Sequence, residues 1–144
     1  MSYQPIVGRT INSDSLALSA DVSTADTSSP PTVAFHTFSN FPKQSATSVL
    51  EVVITCSITN TATSGNRLRG FYGAAPTYIA GCKDYTVANQ NTAVSLSFKV
   101  PAGSSGAIDI GIAWSCVSGT LACTTSSNPN FYHCNIKVDE VEPT

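Results

Sequence analysis

Leu50, Val52, Ile54, Cys56 and Ile58 alternate with Glu51, Val53, Thr55, Ser57 and Thr59. A period of two over ten residues sets one row against a core and the other toward solvent, which is the pattern of a half-buried strand. The same alternation recurs three times. Val94, Leu96, Phe98 and Val100 form the apolar row of a second strand, and Ile108, Ile110, Ile112, Trp114 and Cys116 that of a third. Tyr132, Cys134, Ile136 and Val138 form that of a fourth, interleaved with Phe131, His133, Asn135 and Lys137. Weaker strands are expected at Val33–Phe38, Leu68–Gly73, Thr77–Ala80 and Tyr85–Ala88. Turn chemistry separates these segments at Asn40-Phe-Pro42, Ser64-Gly-Asn66, Gly81–Asp84, Ala88–Thr92, Pro101–Gly106 and Ser126–Asn130.

About eight short strands with no repeat at a fixed period predict an all-β fold, a single β-sandwich of jelly-roll-like type. Residues 33–144 make up that domain, ending in a short acidic tail, Asp139-Glu-Val-Glu142. Residues 1–32 differ. SADVSTADTSSPPT is a small-polar run closed by Pro30 and Pro31, and only SLALS alternates. This segment reads as an extended N-terminal arm, with one or two short strands, that crosses another surface. Its anchors are Ile6, Val7, Ile11, Leu16 and Leu18. Phe35, Phe38 and Phe41 fall three apart beside Pro42, which suits an aromatic-rich loop or strand end packing under the arm or against another subunit.

Composition sharpens the class. Serine and threonine are roughly a quarter of the 144 residues, and charged residues are 11%, against about 25% in an average soluble protein. Lys and Glu, the formers of exposed helices, are scarce, so almost no helix is expected. The net charge of -2 excludes a basic nucleic-acid-binding module, which needs clustered Lys and Arg. No stretch approaches the ~18 apolar residues of a membrane span. The start MSYQPIVGRT has no basic residues followed by an apolar run, so no signal peptide is expected and the chain is read as cytoplasmic at synthesis. No Asn-x-Ser/Thr acceptor is present.

The five cysteines show no C-x-x-C spacing, which argues against a metal site. Cys56, Cys116 and Cys134 fall on the apolar phase of strands and read as reduced core residues, since thiols pack as small hydrophobes. A pair among them can bridge the sheets where their Cα atoms lie close enough. Cys82 and Cys123 are expected in loops and are the better disulfide candidates in an oxidising medium.

No catalytic motif is present. A nucleophile–base set would have to join Ser115 to His133, yet no G-x-S-x-G elbow exists and acids are sparse. No two carboxylates converge from the strands that can be placed. Catalytic, cofactor and metal residues are therefore none. Asn66-Arg-Leu-Arg-Gly-Phe-Tyr72 is the most interactive stretch. Arg67 and Arg69 beside Tyr72 can grip a carboxylate, a sugar or a protein partner, or can simply lead into a strand whose Phe71 is core.

A Ser/Thr-rich, proline-punctuated arm before a compact, nearly uncharged β-sandwich, with strands such as VLEVVITCSIT and AIDIGIAWSC, resembles the accessory structural proteins of tailed bacteriophages. These are capsid cement (decoration) proteins and tail-fibre knobs. The resemblance covers the architecture and no diagnostic motif, so no site residues transfer. It implies a homotrimer that binds the major capsid protein across neighbouring subunits of a virion assembled in the host cytoplasm, with no nucleic acid, membrane or cofactor involved. The alternative is a glycan-binding knob or lectin-like domain using Tyr72, Tyr78, Asn89, Asn91, Asn128 and Asn130, since aromatics stack on sugar faces and amides satisfy hydroxyls.

Overall fold

The computed structural model describes residues 8–124 and 134–144. They form ten strands and no helix: β1 (Gly8–Ala17), β2 (Val22–Thr24), β3 (Val33–Lys43), β4 (Val49–Asn60), β5 (Ser64–Tyr72), β6 (Thr77–Thr86), β7 (Thr92–Val100), β8 (Gly106–Cys116), β9 (Leu121–Cys123) and β10 (Cys134–Pro143). Two antiparallel sheets face each other. The first runs β1-β10-β4-β9-β2, with β7 also on β4, and the second runs β3-β8-β5-β6. The fold is the all-β sandwich that the alternation predicts.

Inward rows fill the space between the sheets. From β4, β7 and β10 come Leu50, Val52, Ile54, Ile58, Leu96, Phe98, Ile136 and Val138, all buried. From the second sheet come Leu68, Ile110, Ile112 and Trp114. Phe35 stacks on Trp114 at 4.1 Å between centroids. β8 departs from half-burial: Ile110 through Cys116 are all buried. The cause is a strap, residues 26–32, that crosses the outer face of the second sheet. Asp26 O accepts from Cys116 N at 2.9 Å, and Ser28 O accepts from Ser115 Oγ at 2.6 Å.

Several local expectations change. Asn40-Phe-Pro42 lies within β3, where a register shift between Phe38 and Phe41 absorbs the irregularity. Ser64-Gly-Asn66 opens β5 rather than turning, and Gly81–Asp84 continue β6 as one strand from Thr77 to Thr86. Of these three strands only β5 has a ladder neighbour on both sides; β3 and β6 are edge strands, and their turn residues are carried by the single ladders to β8 and β5. Phe35, Phe38 and Phe41 lie on β3 rather than in a loop; Phe35 and Phe41 belong to the chain's own core, and Phe38 packs partly against it. Phe131–His133 and the turn at 126–130 lie outside the described residues.

Residues 8–24 do not cross a foreign surface within this chain. β1 pairs with β10 from Gly8↔Pro143 to Ala17↔Asn135, and β2 pairs with β9. The acidic tail is likewise a strand. β10 lies between β1 and β4, and Glu140 on it is 0% exposed. Its carboxylate accepts from Gln44 N at 2.8 Å and Ser45 N at 3.0 Å, and from the Ser48 hydroxyl. This fixes the β3–β4 connection. Nearby, the hydroxyl of Thr47 and then that of Ser45 hold the exposed Glu142 carboxyl below the usual carboxylate range.

One end of the sandwich carries a buried polar network. Asn60 Nδ2 donates to Asn66 Oδ1 at 2.9 Å and to Ser118 O at 3.0 Å. Asn66 Nδ2 donates to Thr86 Oγ1 at 3.1 Å. Gly119, at φ 79°, closes over this network, and a Cβ there would stand 2.2 Å from Asn60 Oδ1. Gly119→Ala therefore combines a left-handed backbone with a clash against a buried amide. It is expected to cost about 2 kcal/mol in urea denaturation, whereas Gly103→Ala, which meets nothing within 4 Å, stays within about 0.5 kcal/mol.

Cys56, Cys116 and Cys134 are buried, as their phase predicts. Cys82 and Cys123 are not in loops: they lie on β6 and β9. Cys123 is fully buried, and the Cys82 side chain lies outside the described residues. Burial pushes the Cys123 thiol up to about 12, and the neighbouring Cys56 adds to the shift. Hydrogen bonding to Cys56, then burial, raises Cys134. Protonated, sealed thiols are poor nucleophiles. In protein kept reduced throughout, iodoacetamide at about pH 8 is thus expected to leave Cys56, Cys116 and Cys134 unlabelled in the native state and to label all three after unfolding. Fast native labelling of the three would mean that the strand register is wrong by one residue.

Candidate functional site

The two arginines of β5 alternate with buried Asn66 and Leu68 and so project from the outer face of the second sheet. Both are engaged by their own chain. Arg69 Nε donates to Pro31 O at 2.6 Å, and its guanidinium lies 3.5 Å from the Tyr78 ring centroid. Arg67 Nη1 reaches Ser28 O at 3.4 Å. Tyr78 Oη donates to Thr32 O at 3.4 Å. The stretch with the strongest binding composition therefore holds the strap, with one donor of each arginine on a strap carbonyl.

Tyr72, at the end of β5, is elsewhere. It lines a cleft of about 350 Å³ with Asn40, Ser104, Ser105 and Asp109. Asp109 shapes this cleft twice: its Oδ1 accepts from Asn40 N and its carbonyl from Gly73 N, both at 2.9 Å. One aromatic face, an amide, two hydroxyls and a carboxylate line one opening. Tyr78 packs edge-on against Phe71 rather than at this cleft. Asn128 and Asn130 lie outside the described residues.

The expected arm anchors divide. Ile6 and Val7 lie outside the described residues. Ile11 sits at the register shift between Thr10 and Asn12 and is half-buried. Leu16 is opposite Ile136 but remains 39% exposed, since β1 lies at the sheet edge. Leu18 packs against the chain's own core. β1 is tied to β3 as well: Asn12 Nδ2 donates to Pro42 O at 3.2 Å, and His36 Nε2–H donates to Leu16 O at 2.9 Å.

Sequence reasoning missed an apolar corner. Gly65 pairs with Tyr85 on β6, and its carbonyl accepts from Val117 N at 2.9 Å. Cys116, Asn66 and Thr86 point inward, so Val117, Gly65, Tyr85 and Val87 share the outer face. Tyr85 is 64% exposed, Val117 51% and Val87 49%. The strap covers the adjoining row at Ser115 and Arg67 and stops short of this one. The available sequence signal was the glycine: with Gly65 between them, nothing fills the face between Val117 and Tyr85.

Ser115 is no nucleophile here. It is 0% exposed and donates to Ser28 O, while His133 lies outside the described residues. Among the described residues, no group of three His, Cys, Asp or Glu side chains can hold a metal ion.

No protein family matches the chain by sequence, and no curated protein matches it. Solved structures resemble it in shape. The T13 particle of IBDV gives a TM-score of 0.48 at 9% identity over 95% of this chain. The infectious bursal disease virus VP2 subviral particle gives 0.44 at 11% over 94%. The C-terminal CBM6 of LamC from Zobellia galactanivorans gives 0.39 at 14% identity, covering 89% of this chain and 99% of that one. The chain spans 36% and 38% of the length of the two viral chains. At TM-scores below 0.5, none of these likenesses bears on what this chain binds.

Proposed function

We propose that the chain is a non-enzymatic virion structural protein. In this reading it is a cement (decoration) protein that stabilises a phage head by binding, as a homotrimer, across neighbouring subunits of the major capsid protein. The observation that carries this reading is the apolar corner of Val117, Tyr85 and Val87. Exposed aromatic and aliphatic side chains clustered around a glycine on a nearly uncharged surface suit a protein–protein contact. Tyrosine contributes most at such contacts because it buries a large area at little conformational cost. A patch of this size binds weakly alone; three copies on one trimer multiply the effect by effective concentration. β1, with Leu16 exposed at the sheet edge, offers a second contact. The test is co-sedimentation with capsids purified without the protein, from the virus that encodes it. Saturable, stoichiometric occupancy is the expected result, and no association at any concentration defeats the reading.

The Tyr72 cleft favours a second reading, glycan binding by a knob or lectin-like domain. A sugar ring can stack on Tyr72 while Asn40, Asp109 and the two serines satisfy its hydroxyls. On this reading a glycan array gives discrete hits, and Tyr72→Ala removes them while the chain still folds, with a melting temperature lowered by the loss of a side chain that packs partly against the core. An array without hits, together with tight capsid binding, leaves the first reading alone.

A further inference from the structure

Cys56 on β4 and Cys134 on β10 are direct Cα partners in an antiparallel ladder. Both side chains point into the core, 4% and 2% exposed, and the two thiols hydrogen-bond each other. Directly opposed residues of antiparallel strands have Cα atoms roughly 4.5–5.5 Å apart. A disulfide spans Cα separations of roughly 4.4–6.8 Å, so this pair can be joined without moving either strand. We infer that Cys56 and Cys134 are a latent cross-strand disulfide, a covalent lock within the first sheet that is set when the chain folds in an oxidising medium.

Cys123 is the competing thiol. Thr59 pairs with Ala122 and Asn60 with Leu121, which places Cys123 opposite Ile58 and diagonal to Cys56. Diagonal neighbours stand roughly 7–8 Å apart, beyond the disulfide range. The ladder therefore selects Cys134 over Cys123 as the partner of Cys56. The remaining buried thiol among the described residues, Cys116, sits on β8 of the opposite sheet, about 10 Å away across the core.

The timing follows from burial. In the folded chain both thiols are sealed from solvent, so a disulfide reagent meets them during folding. With glutathione disulfide as oxidant, one protein thiolate attacks its S–S bond and releases one glutathione thiol. The second protein thiolate then displaces the other glutathione from the mixed disulfide. Two protein S–H bonds are lost, one protein S–S bond forms, and the two protons end on two reduced glutathiones.

The closing bond would span a loop of roughly 80 residues, large enough for a sizeable effect on the unfolded chain. The test is refolding the full chain from urea in a glutathione redox buffer, with a parallel sample refolded in excess reductant. Non-reducing peptide mapping is expected to show one cross-linked peptide pair containing Cys56 and Cys134, about 2 Da lighter than the reduced pair. The melting temperature is expected to rise by about 10 °C over the reduced sample. Cys123→Ala keeps both effects, and Cys134→Ala abolishes both. Refolded wild-type chain in which Cys56 and Cys134 stay reduced overturns the inference. So does a map in which either one is joined to Cys82, Cys116 or Cys123, and that readout does not depend on any variant folding.

Discussion

Glu140→Ala is expected to lower the stability of the folded chain by about 4 kcal/mol. Glu140 has no solvent contact, and its carboxylate receives Gln44 N, Ser45 N and the Ser48 hydroxyl. Alanine removes the acceptor of those two backbone amides. The two amides are partly buried and the Ser48 hydroxyl is buried; a fully buried donor left without a partner costs about 1–3 kcal/mol and a partly buried one less, and the vacated volume adds a cavity cost. A shift of this size lowers the melting temperature by about 15 °C in a domain of this length. Glu140→Gln keeps one acceptor oxygen but points an amide N–H₂ at the donors, so it should lose roughly half as much. Thermal denaturation of both variants checks the order. If Glu140→Ala melts within about 3 °C of wild type, the carboxylate does not hold the β3–β4 connection.

Trp114→Ala is the second large effect, about 4 kcal/mol. The indole is 1% exposed and stacked on Phe35 at 4.1 Å with 24° between planes. It lies between Val33 of β3 and Leu68 of β5 in the ladder. Removing it leaves a hole that strands fixed on both sides cannot collapse to fill, and the aromatic pair contributes beyond its buried area. Trp114→Phe preserves the stack and most of the volume, so it should cost about 1–2 kcal/mol. Equal costs for the two substitutions in urea denaturation would contradict the packing described.

What could be read in the sequence followed from how strongly a residue's neighbours along the chain decide its place. The row Leu50 to Ile58 is inward because alternation over ten residues admits one register, and every slip of one exposes it. The same argument placed Cys56, Cys116 and Cys134. Long-range partners were not legible. Asp139-Glu-Val-Glu142 has the composition of a solvated tail, yet Glu140 is buried because two backbone amides and a hydroxyl near residue 45 come to meet it. Arg67 and Arg69 have the composition of a binding site, yet they satisfy carbonyls of a strap some forty residues earlier. β1 read as part of an extended arm crossing another surface because its small polar side chains bury little. What holds it is the backbone ladder to β10, which no side-chain pattern records. The corner of Tyr85, Val87 and Val117 was missed for the same reason, since only the pairing through Gly65 brings β8 and β6 together.

The proposed attachment to a larger particle runs through this corner. The direct measurement is capsid occupancy of wild type against the double variant Tyr85→Lys/Val117→Lys, with melting temperatures recorded for both. Both positions are largely exposed, so stability should change by less than about 1 kcal/mol. Two lysines in a desolvated contact should lower apparent affinity by at least about 10-fold. Unchanged melting with lost occupancy is the predicted result; unchanged occupancy in a folded double variant rules this corner out as the contact.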